Sequence, residues 1–192
     1  MSVVTRPGDA IEAFDVLDAK RVLRARMRAV RRVIASDADE RRARSDVIAT
    51  RLVQLVEQRT PAPRRAMTYD ALPGEVDLAV FHDWCRARRI ERFAPLVDPE
   101  HRDALLVVPG PLDPSELDVV VVPGVAFTAT GHRLGQGGGH FDRFLPRLRP
   151  GCLRVGVCYR EQLVDDVPSE PHDVVLDAVV SDVDPTPDGP PG

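Results

Sequence analysis

The chain has 192 residues, of which 43% are hydrophobic and 29% charged, and its net charge is −4. This length and composition are typical of one globular domain with a sizeable core, and the weak negative charge argues against nucleic acid as a partner. The sequence contains neither a signal-type segment nor an apolar run of membrane-spanning length, so we expect no membrane partner and a location in the reducing cytoplasm.

The first third of the chain predicts two helices. Residues 1–16 show no clear period, and we expect them to form a flexible arm. From Leu17 to Ile34 the apolar residues recur at helical spacing, which predicts the first helix. Its remaining surface is basic and, taken alone, typical of a solvated face: Lys20, Arg21, Arg24, Arg28, Arg31 and Arg32. A capping-box pattern beginning at Ser36 predicts a second helix that ends before Thr60.

The rest of the chain alternates between strand and helix patterns. Strands are predicted at residues 65–69, 90–97, 104–109, 117–127, 152–159 and 174–180, with helices at 76–85 and 140–148. This alternation predicts an α/β fold with a mainly parallel sheet that is flanked by helices on both sides. We expect one domain over residues 17–182 and a disordered Pro/Gly-rich tail over 183–192. The cysteines at 85, 152 and 158 are interpreted as buried small side chains rather than a redox pair or metal site.

A glycine-rich segment at residues 131–143, GHRLGQGGGHFDR, is the strongest candidate for a functional site. It places five glycines in nine residues and leads directly into a predicted helix. Glycine allows positive φ and a close approach of backbone N–H groups to a ligand, and a helix start adds further N–H donors, so the segment predicts a phosphate site. Arg133 and Arg143 can add charge-assisted contacts. The spacing matches neither a Walker A loop nor a dinucleotide fingerprint, and a flexible surface turn is the alternative.

Asp142 and Asp173 are candidate ligands for Mg²⁺. Mg²⁺ is commonly held by one or two carboxylates, with water and phosphate oxygens completing its shell. An aspartate in the first turn of a helix also interacts favourably with the helix dipole, so a purely structural role for Asp142 stays open.

The segment "VPGVAFTATGHRLGQGGGHFDRFL" resembles the signature of the 5-formyltetrahydrofolate cyclo-ligases, also called methenyltetrahydrofolate synthetases. Three further blocks agree in order and spacing: "KRVLRARMRAVRR", "GEVD" at 74–77, and "VGVCYREQLVDDVPSEPHDVVLDAVVSD". The resemblance implies a three-layer α/β sandwich of the NagB/RpiA/CoA transferase-like type, and a monomer or possible dimer that binds small molecules.

The resemblance also implies an ATP-dependent and Mg²⁺-dependent ligase. In this reaction ATP phosphorylates the formyl oxygen of 5-formyltetrahydrofolate. Attack by N10 and departure of phosphate then give 5,10-methenyltetrahydrofolate with ADP and phosphate. Such chemistry depends on positioning, cationic clamps and metal, which the residue types supply.

Residue by residue, the resemblance implies the following roles. ATP binding would fall to Lys20, Arg24, Arg133, Gly135, Gly137, Gly138, Gly139 and Arg143. The folate would contact Glu75, Gln136, the glycines at 137–139 and His140. Arg133 and Asp142 would be the catalytic residues, and Asp142 and Asp173 would bind Mg²⁺.

The sequence differs from the family pattern in two places. His140 and Phe141 stand where the family has paired tyrosines, and the segment at 98–117 is shorter than usual. These differences leave two alternatives open. One is a divergent paralogue that uses ATP to activate another amide or carboxyl compound, and the other is a non-catalytic folate- or nucleotide-binding protein.

Overall fold

The computed structural model describes residues 7–101, 104–110, 112–170 and 173–183, with the side chains of residues 7–14 excepted. The helices are α1 (Pro7–Ser36), α2 (Ala38–Arg59), α3 (Ala79–Ala87) and α4 (His140–Phe144). The strands are β1 (Arg65–Met67), β2 (Glu91–Val97), β3 (Leu105–Val108), β4 (Val119–Val122), β5 (Ala126–Phe127), β6 (Arg133–Leu134), β7 (Leu153–Val157) and β8 (Ala178–Val180).

A six-stranded sheet forms the middle layer, in the order β3-β2-β1-β4-β7-β8. All neighbours are parallel except β2 and β3, which pair antiparallel at the edge. The four valines of β4 are all buried at the centre of this sheet, as expected for a strand covered on both faces. The predicted α/β fold with a mainly parallel sheet is therefore confirmed.

Apolar side chains cover both faces of the sheet. On one face Leu52 of α2 and Phe81 of α3 belong to a cluster with Val119 and Val121. On the other face Phe144 of α4 belongs to a cluster with Val120 and Val122. Burial of this apolar surface drives the layers together. The three cysteines are free and buried, as predicted, and burial raises the pKa of Cys85 to about 12.

The starts of α1, α2 and α3 differ from the prediction, and α3 covers Ala79–Ala87 rather than 76–85. α1 begins at Pro7 rather than Leu17, so the arm predicted for residues 1–16 is helical from Pro7 onward, while residues 1–6 lie outside the described residues. The N-cap of α2 is Asp37 rather than Ser36, because Asp37 Oδ1 accepts the Glu40 N–H at 2.9 Å. The predicted end of α2 before Thr60 is confirmed. Residues 184–192 of the predicted tail also lie outside the described residues.

Two elements near the glycine segment are shorter than predicted. The strand predicted at 117–127 is interrupted after Val122 and resumes as β5, which pairs with β6 in a separate hairpin. At Gly124, in the interruption, an added Cβ would lie 2.5 Å from the Phe127 ring, so the chain turns there through a position that only glycine fits. The helix predicted at 140–148 ends at Phe144 and continues as a 3-10 turn.

Candidate active site

A cavity of about 810 Å³ opens beyond the carboxyl ends of β1 and β4, where parallel α/β sheets bind their ligands. It is lined by all of the residues that the sequence predicted for the site except Arg143: Lys20, Arg24, Glu75, Arg133, Gly135, Gln136, Gly137, Gly138, Gly139, His140, Asp142 and Asp173. Segments that are far apart in the sequence therefore meet at one place, as the predicted site requires.

Lys20 lines this cavity and lies between two carboxylates. Its Nζ is 2.7 Å from Glu170 Oε2 and 2.7 Å from Asp173 Oδ2, and only 5% of the residue is exposed. Burial lowers the pKa of Lys20, but the hydrogen bonds to Asp173 and Glu170 outweigh it and leave the pKa raised. The prediction of a solvated face is thus wrong for Lys20, which carries its charge into the cavity.

Arg133 of β6 forms an ion pair with Asp142 of α4. The guanidinium also lies over the Phe141 ring, 5.6 Å from its centroid. Burial lowers the pKa of Arg133, and the Asp142 and Asp173 carboxylates oppose that shift. Its Nε is buried and has no hydrogen-bond acceptor among the described residues, so this guanidinium keeps one donor unsatisfied beside the cavity.

The glycine segment is held through its carbonyl groups by three arginines. Arg24 Nε donates to Gly135 O at 3.0 Å, Arg28 Nη2 to Gln136 O at 3.4 Å, and Arg143 Nη2 to Gly138 O at 2.7 Å. Arg143 therefore contacts the loop backbone instead of lining the cavity. The following helix α4 has only five residues, so the dipole contribution expected from the sequence is small.

Three glycines of the segment, Gly131, Gly137 and Gly139, are required by the backbone itself, and Gly131 has φ of 94°. Gly137 has φ of 111° and Gly139 has φ of 64°, which side chains other than glycine adopt only with strain. Gly135 shows no such φ, and no atom lies within 4 Å of the position that a Cβ would occupy there. The space in front of Gly135 is open to the cavity, which is the arrangement that close approach by a ligand needs.

Glu75 lies in the turn between β1 and α3, and its side chain is mostly buried. Arg31 Nη2 of α1 is 3.0 Å from Glu75 Oε1, and the Leu72 N–H donates to Glu75 Oε2 at 3.1 Å. Both carboxylate oxygens thus already have one donor each. Since each oxygen can accept a second hydrogen bond, this anion is fixed in place and can still accept N–H or O–H groups of a ligand.

Asp142 and Asp173 line the same cavity, and each is balanced by a cation, Arg133 and Lys20 respectively. Within the described ranges no group of three or more His, Cys, Asp or Glu side chains is arranged to hold a metal ion. Two carboxylates without further protein ligands form a donor set that suits Mg²⁺ bound together with phosphate, because Mg²⁺ retains several water or phosphate oxygens.

The sequence did not single out several residues that the structure brings to the site. Glu170 shares Lys20 with Asp173, and Tyr69 lines the cavity next to Glu75. Arg31 is buried although the pattern placed it on a solvated face with Arg28 and Arg32. No sequence pattern identifies Arg31 as more buried than the neighbouring arginines, because its burial depends on contact with Pro73 and Glu75 in the turn after β1. No helix in the described part of the chain is long and apolar enough to cross a membrane.

Comparison with known proteins gives one consistent family. The model of the 5-formyltetrahydrofolate cyclo-ligase family matches residues 101–182. A 5-formyltetrahydrofolate cyclo-ligase of Saccharomyces cerevisiae is 47% identical over 70 residues, which are 33% of this chain and 33% of that protein. The Escherichia coli enzyme is 44% identical over 68 residues, 35% of this chain and 37% of that protein. The aligned segments therefore span about a third of the length of these relatives.

Solved structures extend the likeness to most of the chain. A 5,10-methenyltetrahydrofolate synthetase from Mycoplasma pneumoniae superposes with a TM-score of 0.76 at 24% identity, covering 85% of this chain and 99% of that one. The corresponding protein of Aquifex aeolicus gives a TM-score of 0.69 at 28% identity, covering 85% and 89%. The block that contains the glycine segment therefore resembles the 5-formyltetrahydrofolate cyclo-ligases in sequence, and most of the chain shares the fold of the 5,10-methenyltetrahydrofolate synthetases.

Proposed function

We propose that the protein converts 5-formyltetrahydrofolate to 5,10-methenyltetrahydrofolate at the expense of ATP, releasing ADP and phosphate. The observation that carries this proposal is that three cations and three carboxylates line the same cavity beside the glycine segment. The cations are Lys20, Arg24 and Arg133, and the carboxylates are Glu75, Asp142 and Asp173. Cations, carboxylates and accessible backbone are the parts that phosphoryl transfer requires, since catalysis there depends on positioning and charge.

The proposed reaction has two steps. First, the formyl oxygen of the folate attacks the γ-phosphorus of ATP, so that an O–P bond forms and the bond between the γ-phosphorus and the β,γ-bridging oxygen breaks. ADP leaves with the electron pair of that bond. Second, N10 attacks the activated carbon to form a C–N bond and loses its proton to solvent. The C–O bond then breaks, and the phosphorylated oxygen leaves with its electron pair as phosphate. Phosphorylation thus turns a poor leaving group into a good one.

The cationic side chains would bind and orient ATP. Lys20 and Arg24 are one helical turn apart on α1, and they approach the glycine loop and Arg133 from the same side of the cavity. The open space at Gly135 would admit a phosphate close to the backbone. The unsatisfied Nε of Arg133 would gain an acceptor from a phosphate oxygen, and this arginine would stabilise the charge that develops during transfer.

Asp142 and Asp173 would hold Mg²⁺. When bound, the ion would neutralise phosphate charge and polarise the transferring group. Asp142 would also fix the orientation of Arg133 through their ion pair. Asp173 would keep Lys20 at the same position.

The folate would occupy the part of the cavity near Glu75, Gln136 and His140. Tyr69, Leu72, Ala94, Pro95, Val97 and Leu105 supply apolar lining there. A flat heterocycle with N–H donors would bury its faces against such side chains and donate to the Glu75 carboxylate. The edge strand β3 and its neighbour β2 thus form part of the wall, although the segment at 98–117 is short.

The test is a direct assay of the purified protein. With Mg–ATP and 5-formyltetrahydrofolate we expect the methenyl chromophore to appear, and the variant Asp142→Ala should abolish it. ATP binding without turnover of the folate would point to a paralogue with another substrate. Binding without ATP consumption on any substrate would point to a regulator. Separate calorimetric titrations with Mg–ATP and with the folate distinguish these outcomes.

A further inference from the structure

The turn between β1 and α3, residues 72–77, is held by four side chains, two from the helices α1 and α2 and two from the loops that follow β1 and β7. Two hydroxyls donate to successive carbonyls of this turn: Tyr159 Oη to Glu75 O at 3.2 Å, and Tyr69 Oη to Val76 O at 3.3 Å. The next backbone group, the Asp77 N–H, donates to Ser45 Oγ of α2 at 3.1 Å. Three successive residues are thus each fixed by a side chain, and two of these side chains, Ser45 and Tyr159, lie far from the turn in the sequence.

The hydroxyls form a continuous chain of hydrogen bonds. Ser45 Oγ and Tyr159 Oη are 2.8 Å apart, so the chain runs from the Asp77 N–H through Ser45 and Tyr159 to the Glu75 carbonyl. Ser45 and Tyr159 are fully buried, and burial raises the pKa of Tyr159, which keeps its hydroxyl protonated as a donor. A buried hydroxyl that lost its partner would be costly, so this network favours one conformation of the turn.

The sequence contains only two tyrosines, and both donate to this turn. Elsewhere the core uses phenylalanine, which packs equally well without a hydroxyl. The hydrogen bonds to the turn therefore explain why tyrosine rather than phenylalanine occupies positions 69 and 159.

The side chain of Glu75 is fixed from the opposite end of the same turn. Arg31 contacts Glu75 Oε1 at 3.0 Å and donates to Pro73 O at 3.4 Å. Gly74 has φ of 79°, and a Cβ there would lie 2.6 Å from Arg31 O, so the turn packs directly against α1. Arg31 thus holds the carboxylate, while the two tyrosines hold the backbone that carries it.

We propose that Arg31, Tyr69 and Tyr159 are positioning residues for Glu75, and that together they set the affinity for the folate but not for ATP. This inference rests on the proposed function, in which Glu75 contacts the folate. A carboxylate that is already ordered pays no further conformational entropy when the ligand binds, so loosening it weakens binding of the group that it accepts.

Single-atom changes test the proposal. In Tyr159→Phe and Tyr69→Phe we expect KM for 5-formyltetrahydrofolate to rise about threefold to tenfold, because each loses one hydrogen bond to the turn. KM for ATP should stay within about twofold of the wild-type value. Arg31→Met should have the larger effect, and Arg31→Lys should restore part of it. Arg32→Met, an exposed neighbour on the same helix, is the matched control.

A double-mutant cycle with Glu75→Gln separates positioning from general loss of structure. If the tyrosine acts through Glu75, Tyr159→Phe should raise the folate KM less in the Glu75→Gln background than in the wild type. Equal increases in the two KM values, or an unchanged folate KM in both tyrosine variants, would overturn the proposal. If a tyrosine variant does not fold, Ser45→Ala tests the same network from α2.

A measurement without ligand keeps this test distinct from that of the proposed function. We expect Arg31→Met and Glu75→Gln to be non-additive in their effect on the free energy of unfolding, because they remove the two halves of one contact. Additivity would contradict the holding role of Arg31 whatever the substrate is. If the variants show this coupling but the wild-type protein does not bind 5-formyltetrahydrofolate, the proposed function is overturned and, with it, the role in folate affinity.

Discussion

Lys20 of α1 and Asp173, which precedes β8, are joined by a 2.7 Å contact between Nζ and Oδ2, although 153 positions separate them in the sequence. Lys20 is the single lysine of the chain, whose other basic residues are arginines. An ammonium is a compact charge with three donors, and it fits between Asp173 and Glu170. The contact joins one predicted ATP-binding residue to one predicted metal-binding residue.

Lys20→Met should weaken ATP binding and lower stability. The substitution leaves Glu170 and Asp173 close together without their shared cation, and we expect a loss of about 2–3 kcal/mol in the free energy of unfolding. Urea denaturation measures this loss, and calorimetry measures ATP affinity. Arg21→Met, on the exposed face of α1, should change stability by less than about 0.5 kcal/mol. Wild-type ATP affinity in Lys20→Met would contradict the assignment of Lys20.

Asp142→Asn should abolish turnover and also destabilise the protein. Arg133 is buried, so removing its counter-charge leaves a guanidinium without a carboxylate partner, at an expected cost of about 3 kcal/mol. Thermal unfolding in the absence of ligand measures the second effect. Asp83→Asn, which breaks an exposed pair with Arg86, is the control and should have little effect. Unchanged stability in Asp142→Asn would show that the ion pair contributes nothing to the fold.

Two alanine substitutions in the glycine segment should affect different properties: Gly135→Ala should lower ATP affinity, and Gly137→Ala should lower stability. Gly135→Ala places a Cβ in open space, so stability should stay within about 0.5 kcal/mol of the wild type while ATP affinity falls about tenfold or more. Gly137→Ala imposes positive φ on alanine and should cost about 1–2 kcal/mol of stability. Denaturation and ATP titration of the two variants supply the comparison. Wild-type ATP affinity in Gly135→Ala would mean that the ligand does not approach this part of the loop.

The Asp118 carboxylate should make the free energy of unfolding depend on pH in the acid range. Burial raises its pKa, but hydrogen bonds from the Arg64 and Arg65 N–H groups and from Arg149 outweigh burial and leave the pKa lowered. A lowered folded-state pKa contributes stability that is present above the unfolded value and is lost as the pH falls through the folded value.

The variant Asp118→Asn isolates that contribution. We expect it to be less stable than the wild type by about 2 kcal/mol at pH 7, with the difference shrinking as the pH falls below about 4. Denaturant titrations at a series of pH values provide the measurement. A difference that is independent of pH would show that the charge on Asp118 is not what stabilises the starts of the central strands β1 and β4.

Local sequence patterns predicted which helices and strands form, but they predicted the first and last residues of these elements less well. The four valines of β4 and the alternation of strands and helices were sufficient for a mainly parallel sheet, because burial on both faces requires a continuous apolar run. The break after Val122 was missed, since Pro123 and Gly124 lie within an otherwise apolar stretch. The N-cap of α2 was placed one residue early, because Ser36 and Asp37 are both good capping residues.

The sequence by itself determined the glycine loop, its flanking arginines and the acidic residues near it, because these follow from residue type and spacing. Only the tertiary structure decided which basic residues of α1 face inward. Lys20 and Arg31 are buried while Arg32 is exposed, and this depends on the carboxylates that each one meets. The partners come from the loop before β8 and from the turn after β1, which the folding of the sheet brings to α1. Helical periodicity identifies a face, but the charge and shape of what covers that face are set by distant parts of the chain.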